Sequence, residues 1–113
     1  MQTLKMFDLM GKRVLVTRGS ARAIQSNLGA ALSEGEGQVA LDFFGIDGIA
    51  PSFLDEILSV VEDCIQDTSY NQLQIMVINS PTQLSSKFAA VGRGHGLSLR
   101  ESESGTWIIS KSI

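Results

Sequence analysis

Cysteine and histidine each occur once in the 113-residue chain, as Cys64 and His95. One cysteine cannot close an internal disulfide, and a metal centre built from several Cys or His ligands lacks its raw material. A cytoplasmic, metal-free protein without a cofactor is therefore expected. Long apolar runs are missing as well. Nothing approaches the roughly 18 residues that span a bilayer, and Met1 to Met10 has no long apolar core ahead of a small-residue cleavage site. No membrane partner and no export are expected. Internal repeats, linkers and low-complexity stretches are absent too, which leaves one domain over residues 1–113. With 43% apolar residues, a chain of this length can remove roughly two-thirds of its unfolded surface from water and build an ordinary core.

Cations are missing from the middle of the chain. Lys5, Lys12, Arg13, Arg18 and Arg22 lie within the first 22 residues, and the next basic residue is Lys87. Between them stand Glu34, Glu36, Asp42, Asp47, Asp55, Glu56, Glu62, Asp63 and Asp67. The net charge of -3 hides this separation. An acidic segment without cations repels nucleic-acid phosphates and favours a basic protein partner, so no nucleic-acid ligand is expected.

The apolar pattern sets out the elements. Thr3–Phe7 and Arg13–Thr17 read as strands joined by a hairpin connection over Asp8–Lys12. Ala21, Ile24, Leu28, Ala31 and Leu32 form a stripe at helical spacing, with Ser20 as its cap and Gly35 as its end. Gln38–Phe44, nearly continuous in apolar residues, suits a central strand buried on both faces with parallel neighbours. Phe53, Leu54, Ile57, Leu58, Val60, Val61, Cys64 and Ile65 mark the clearest helix, whose other face carries Asp55, Glu56, Ser59, Glu62, Asp63 and Gln66. Leu73–Ile78 is another interior strand. Ser80-Pro81 opens a third helix bearing Leu84, Phe88 and Val91 and closed by Gly92, and Leu97–Arg100 with Thr106–Ser110 makes a terminal edge hairpin. The fold class is α/β: a mixed central sheet, about three helices and a C-terminal β-hairpin. In such sheets the working surface lies beyond the carboxyl ends of the strands, where Gly45–Ser52 falls.

Ser52-Phe53-Leu54-Asp55 has the spacing of a capping box, in which the serine hydroxyl takes an amide three residues on and the carboxylate reaches back. The same hydroxyl at a helix start is where an added phosphate would be stabilised by unpaired amides. Gly92–Gly96 follows a helix and lacks the order of a phosphate loop, so it reads as a terminator and turn. Asp42 is placed either at the mouth of the sheet or against a neighbouring loop amide. Cys64 falls on the apolar stripe, and Trp107 anchors the terminal hairpin.

The stretch Val39-Ala40-Leu41-Asp42-Phe43-Phe44-Gly45-Ile46-Asp47-Gly48-Ile49-Ala50-Pro51-Ser52-Phe53-Leu54-Asp55-Glu56-Ile57-Leu58, preceded by Thr17-Arg18-Gly19-Ser20-Ala21-Arg22, resembles the STAS-like family of small bacterial proteins of unassigned function. That family is similar in turn to the STAS domains of anti-sigma factor antagonists. The resemblance implies a single STAS-like domain. It also implies a non-enzymatic regulatory module that binds a histidine-kinase-type ATPase or an anti-sigma-like protein, with Ser52 as the phospho-acceptor. The usual motif has an acid, two small hydroxyl residues and a glycine, where this chain has Ala50, Pro51, Ser52 and Phe53. The partner-binding set expected on this basis is Asp47, Gly48, Pro51, Ser52, Asp55, Glu56, Ser59 and Glu62. Two other readings stay open. One is a small-molecule sensor with a nucleotide or anion at the helix start, and the other is an enzyme with Ser52 as nucleophile and His95 as base.

Overall fold

The computed structural model describes residues 2–67, 73–81, 85–103 and 105–111. The chain runs β1 (Gln2–Lys5), α1 (Met6–Met10), β2 (Val14–Leu15), α2 (Arg18–Arg22), α3 (Gln25–Glu34), β3 (Gln38–Asp42), β4 (Gly48–Ile49), α4 (Pro51–Asp67), β5 (Gln74–Ile78), α5 (Ser85–Gly94), β6 (Leu97–Glu103) and β7 (Thr106–Lys111). Five strands form one mixed sheet in the order β1-β3-β5-β7-β6, while β2 and β4 make a separate two-stranded parallel pair. The first three strands run parallel, and β7 and β6 close the sheet antiparallel. The α/β class, the mixed sheet and the terminal hairpin are as expected.

The expected N-terminal hairpin does not form. β1 lies parallel to β3, with Gln2 opposite Val39 and Lys5 opposite Asp42, and the intended turn is the helix α1. Gly11 ends that helix at φ 68°, its amide bonded to the Phe7 carbonyl at 2.8 Å. A left-handed residue one step after a short helix satisfies its last carbonyls, a position that glycine fills at no steric cost. Of the second expected strand only Val14 and Leu15 pair as a strand, with Gly48 and Ile49. The apolar β3 wins β1 as a neighbour because a strand buried on both faces must have its backbone groups paired on both edges.

The helices follow the stripes more closely than the caps. Ala21, Ile24, Leu28, Ala31 and Leu32 are all buried, but the expected single helix divides at Ala23–Ile24 into α2 and α3. Thr17, not Ser20, caps α2: its hydroxyl accepts from the Ser20 amide at 3.1 Å. The eight apolar positions of α4 are all buried. β3 stops at Asp42, two residues short of expectation, because the Asp42 carboxylate accepts the Phe44 amide at 2.9 Å and turns the chain. Phe43 stays in the core while Phe44 swings out, 76% exposed. β3 has parallel neighbours on both sides, but β5 is the middle strand of the sheet. Pro81 precedes α5 instead of starting it, Leu84 lies outside the described residues, and the helix runs past Gly92 to Gly94.

Two glycines separate backbone freedom from packing. A Cβ on Gly35, at the end of α3, would run into the Gln38 carbonyl oxygen, whereas one on Gly29 in mid-α3 meets open space. Gly29→Ala is expected to stabilise the protein by about 0.5–1 kcal/mol through helix propensity and unfolded-state entropy. Gly35→Ala is expected to destabilise it. Urea denaturation of the two variants beside the native chain reads both signs.

Candidate functional site

Parallel pairing of β2 with β4 brings two distant segments together. The Asp47 amide donates to the Arg13 carbonyl at 2.7 Å and the Ala50 amide to the Leu15 carbonyl at 2.8 Å. The start of α4 is thereby tied to the strand that leads into α2. Pro51 occupies the first helical position, where its missing N–H costs nothing, and the Ala50 carbonyl accepts the first helical bond, from Leu54, at 3.0 Å.

The capping box is absent. Ser52 is half-buried, and its hydroxyl donates to the Val16 carbonyl at 2.7 Å. Asp55 turns away from the helix start and takes the Arg18 guanidinium at 2.6 Å and His95 Nε2 at 2.8 Å. A carboxylate only accepts, so this contact puts a hydrogen on Nε2. Glu56, whose side chain is 18% exposed, binds Arg22 at 2.6 Å and Arg18 at 3.4 Å. Asp63 binds Arg22 at 2.7 Å. Glu62 and Ser59 each lie 3.4 Å from His95 Nδ1. The acidic face expected to be offered to a partner is thus engaged within the chain, by Arg18 and Arg22 of the N-terminal basic block and by His95. Unlike charges separated in sequence have met across α2 and α4.

Electrostatics follow the contacts. The hydrogen bond from Arg18, and after it that from His95, holds the Asp55 carboxyl below its ordinary value of 3.8. Hydrogen bonds to Asp63, and after it to Glu56, hold the Arg22 guanidinium above its ordinary value. Asp55 has 42% of its side chain exposed and Arg18 55%, so solvent screens their pairing and it contributes little alone.

His95 does not meet Ser52. Ser59 takes the place beside it, and Asp55, Ser59 and His95 have the composition of a nucleophile, base and orienting acid. The chemistry does not follow from the composition. Ser59 lies in the middle of α4, where the neighbouring amides are committed to the helical ladder and have nothing to offer an oxyanion. Among the described residues no group of three His, Cys, Asp or Glu side chains is disposed to hold a metal ion. No described helix is long and apolar enough to cross a membrane.

A different surface was not legible in the sequence. A cleft of about 250 Å³ lies between α1, β2 and α2, lined by Leu9, Met10, Lys12, Val14, Leu15, Val16, Thr17, Ser20 and Ala23. Val14 and Val16 are each 52% exposed on the face of β2 opposite the buried Leu15. Thr17, Ser20 and Ala23 line one side of α2 while Arg18 and Arg22 hold its other side to α4, so α2 is at once the cleft wall and the partner of the acidic helix. Among the expected site residues, Gly48 and Ser52 reach this surface, Gly48 behind Val14 and Ser52 through Val16. Pro51 is exposed beside them. Asp47 faces Arg13 at 3.8 Å, with both side chains largely exposed. Asp55, Glu56, Ser59 and Glu62 belong to the ion network. Asp42 resolves in favour of the loop amide and also takes the Asn79 side chain at 2.9 Å.

The network fixes a pH dependence. A carboxyl whose folded value is depressed adds stability that is complete above its unfolded value, here 3.8, and that is lost as the pH falls through the folded value. The native chain is therefore expected to lose more of its melting temperature between pH 6 and pH 3 than Asp55→Asn does. Equal acid limbs for the two proteins would show that the pairing contributes nothing.

A scan against protein-family models, a search of curated proteins and a search of solved structures each find no match to this chain.

Proposed function

We propose that the chain is a non-enzymatic regulatory module of the anti-sigma-antagonist kind, which binds a histidine-kinase-type ATPase or an anti-sigma-like protein through the surface around Ser52. One observation carries the reading: the segment that Ser52 holds through the Val16 carbonyl exposes apolar side chains beside a cleft. Val14 and Val16 are half exposed, and Phe7, Leu9 and Phe44 also show apolar surface to solvent. Apolar side chains grouped beside a cleft and edged by polar groups are the usual mark of a recognition surface. The contact centre in this reading moves from the acidic face of α4 to Val14, Val16 and Ser52, because that face is neutralised within the chain.

Ser52 gives the surface a switch. Transfer of the ATP γ-phosphoryl to Ser52 Oγ, with release of ADP and of the hydroxyl proton, removes the donor that holds the Val16 carbonyl and sets anionic oxygens against it. Repulsion of two acceptors at hydrogen-bonding distance would push apart the start of α4 and the residue that leads into α2. Phosphorylation then alters the surface itself, and not only its charge.

The sensor reading finds its best place in the same cleft, but 250 Å³ lies below the roughly 300–1,000 Å³ typical of ligand sites.

The test is a photo-crosslinker at Val16 of the tagged full chain in bacterial cells. An ATPase of the histidine-kinase fold is expected at that position, with recovery reduced about fivefold or more in Val14→Asp and in Ser52→Asp. Unchanged recovery with both variants, or crosslinks to other proteins alone, would overturn the proposal.

A further inference from the structure

The geometry points to strand addition: the cleft beside β2 receives an extended, apolar segment of another protein that carries a carboxylate, and its backbone pairs with the outer edge of β2. This rests on the reading of the chain as a protein-interaction module and names the chemistry of the partner.

Backbone geometry supplies the first argument. The carbonyls of Arg13 and Leu15 accept from the β4 side. Successive backbone groups in a strand face opposite edges, so the amide and carbonyl of Val14 face away from β4. Among the described residues they have no partner within the chain. Proteins blunt such edges by keeping them short and flanking them with charge, and β2, two residues long behind Lys12 and Arg13, therefore favours a short segment that answers those cations. Here the edge carries two half-exposed valines and opens onto a cleft. A peptide that adds as a strand gains main-chain hydrogen bonds from the edge and specificity from pockets for alternate side chains.

Size and charge define the occupant. A cavity of about 150 Å³ holds a benzene ring, so a cleft of 250 Å³ takes a large aliphatic side chain with room to spare, and Leu9 and Met10 supply an adaptable apolar wall. Among the described residues Lys12 is the only charged one that lines the cleft, and it has no ionic partner there. Arg13 stands next to it with only a long, exposed contact to Asp47. A carboxylate on the incoming segment complements this edge. A second copy of this chain supplies no such carboxylate, because two-fold pairing of β2 with itself about Val14 sets Lys12 opposite Val16 and Arg13 opposite Leu15.

The experiment titrates the full chain into the fluorescein-labelled hexapeptide Glu-Thr-Val-Ile-Val-Thr, read by anisotropy and by the amide shift of Val14. Saturable binding is expected. N-methylation of alternate peptide amides should weaken it by about tenfold, and replacing the peptide Glu by Lys, or Lys12→Glu in the protein, by about fivefold. Ala23→Leu fills the cleft from an exposed position and should abolish the Val14 shift without lowering the melting temperature. Equal affinity for the N-methylated peptide, or no saturation, overturns strand addition. So does a dimer in sedimentation equilibrium that Val14→Asp dissociates, since the edge would then belong to a second copy. Loss of ATPase crosslinking in Val14→Asp without peptide binding leaves the interaction module standing and removes only the extended-segment claim. Peptide binding without an ATPase crosslink supports strand addition and removes the ATPase.

Discussion

Arg18 and Arg22 reach from a five-residue helix onto the acidic face of α4, and the placement of α2 depends on that contact. A helix of one and a half turns has almost no stability of its own, so α2 must be held by what surrounds it. Ala21 anchors it in the core, Thr17 caps it, and its two arginines are shared among Asp55, Glu56 and Asp63. Each exposed pair contributes little. Shared donors and acceptors differ from isolated pairs in that fixing one side chain lowers the entropy cost of fixing the next. His95 extends the network to the end of α5 through Asp55 and Glu62.

This network changes the meaning of the charge pattern. Five cations at the start of the chain and nine acids in its middle suggest a protein with a negative face. Folding brings Arg18 and Arg22 onto Asp55, Glu56 and Asp63, so the acidic face of α4 is answered within the molecule. What is left outward is different in kind. Lys12 lines the cleft together with Val14 and Val16, which expose apolar surface. Recognition by such a surface combines apolar burial with one well-placed charge, instead of a broad electrostatic field.

The parts of the fold that could be read from sequence are those in which local pattern and burial agree. The α4 stripe has eight apolar residues at helical spacing, and only a helix buries all of them. Gln38–Asp42 and Gln74–Ile78 are too continuously apolar for an exposed edge, and both are interior strands. The misreadings share one cause, which is a choice between local and distant partners. Thr3–Phe7 suits a hairpin strand, but Gln2–Lys5 pairs with β3, more than thirty residues away, and Met6 and Phe7 enter α1. Ser52 and Asp55 have the spacing to cap each other, but Val16, Arg18 and His95 claim them first. Nothing local to His95 marks it. The clue lay on the other helix, where Asp55, Ser59 and Glu62 are spaced four and three apart and therefore share one face of α4. The apolar cleft left still less trace, because Val14 and Val16 in a strand pattern look like core until the strand is seen to have one neighbour.

Ser52 joins the two halves of the site. Its hydroxyl binds the last residue of the β2 segment before Thr17, and Thr17 caps the helix that carries Arg18 and Arg22. Three residues thus link the start of α4, the cleft edge and the ion network in one short stretch of backbone. A change at any one of them is felt at the other two, because α2 is too short to absorb a shift at its first turn without moving its last. The wall of the cleft formed by Thr17, Ser20 and Ala23 therefore depends on contacts made on the opposite side of the same helix. Screening the arginines or removing the Ser52 donor is therefore expected to alter the shape of the surface that Val14 and Val16 present, because so short a helix carries both contacts.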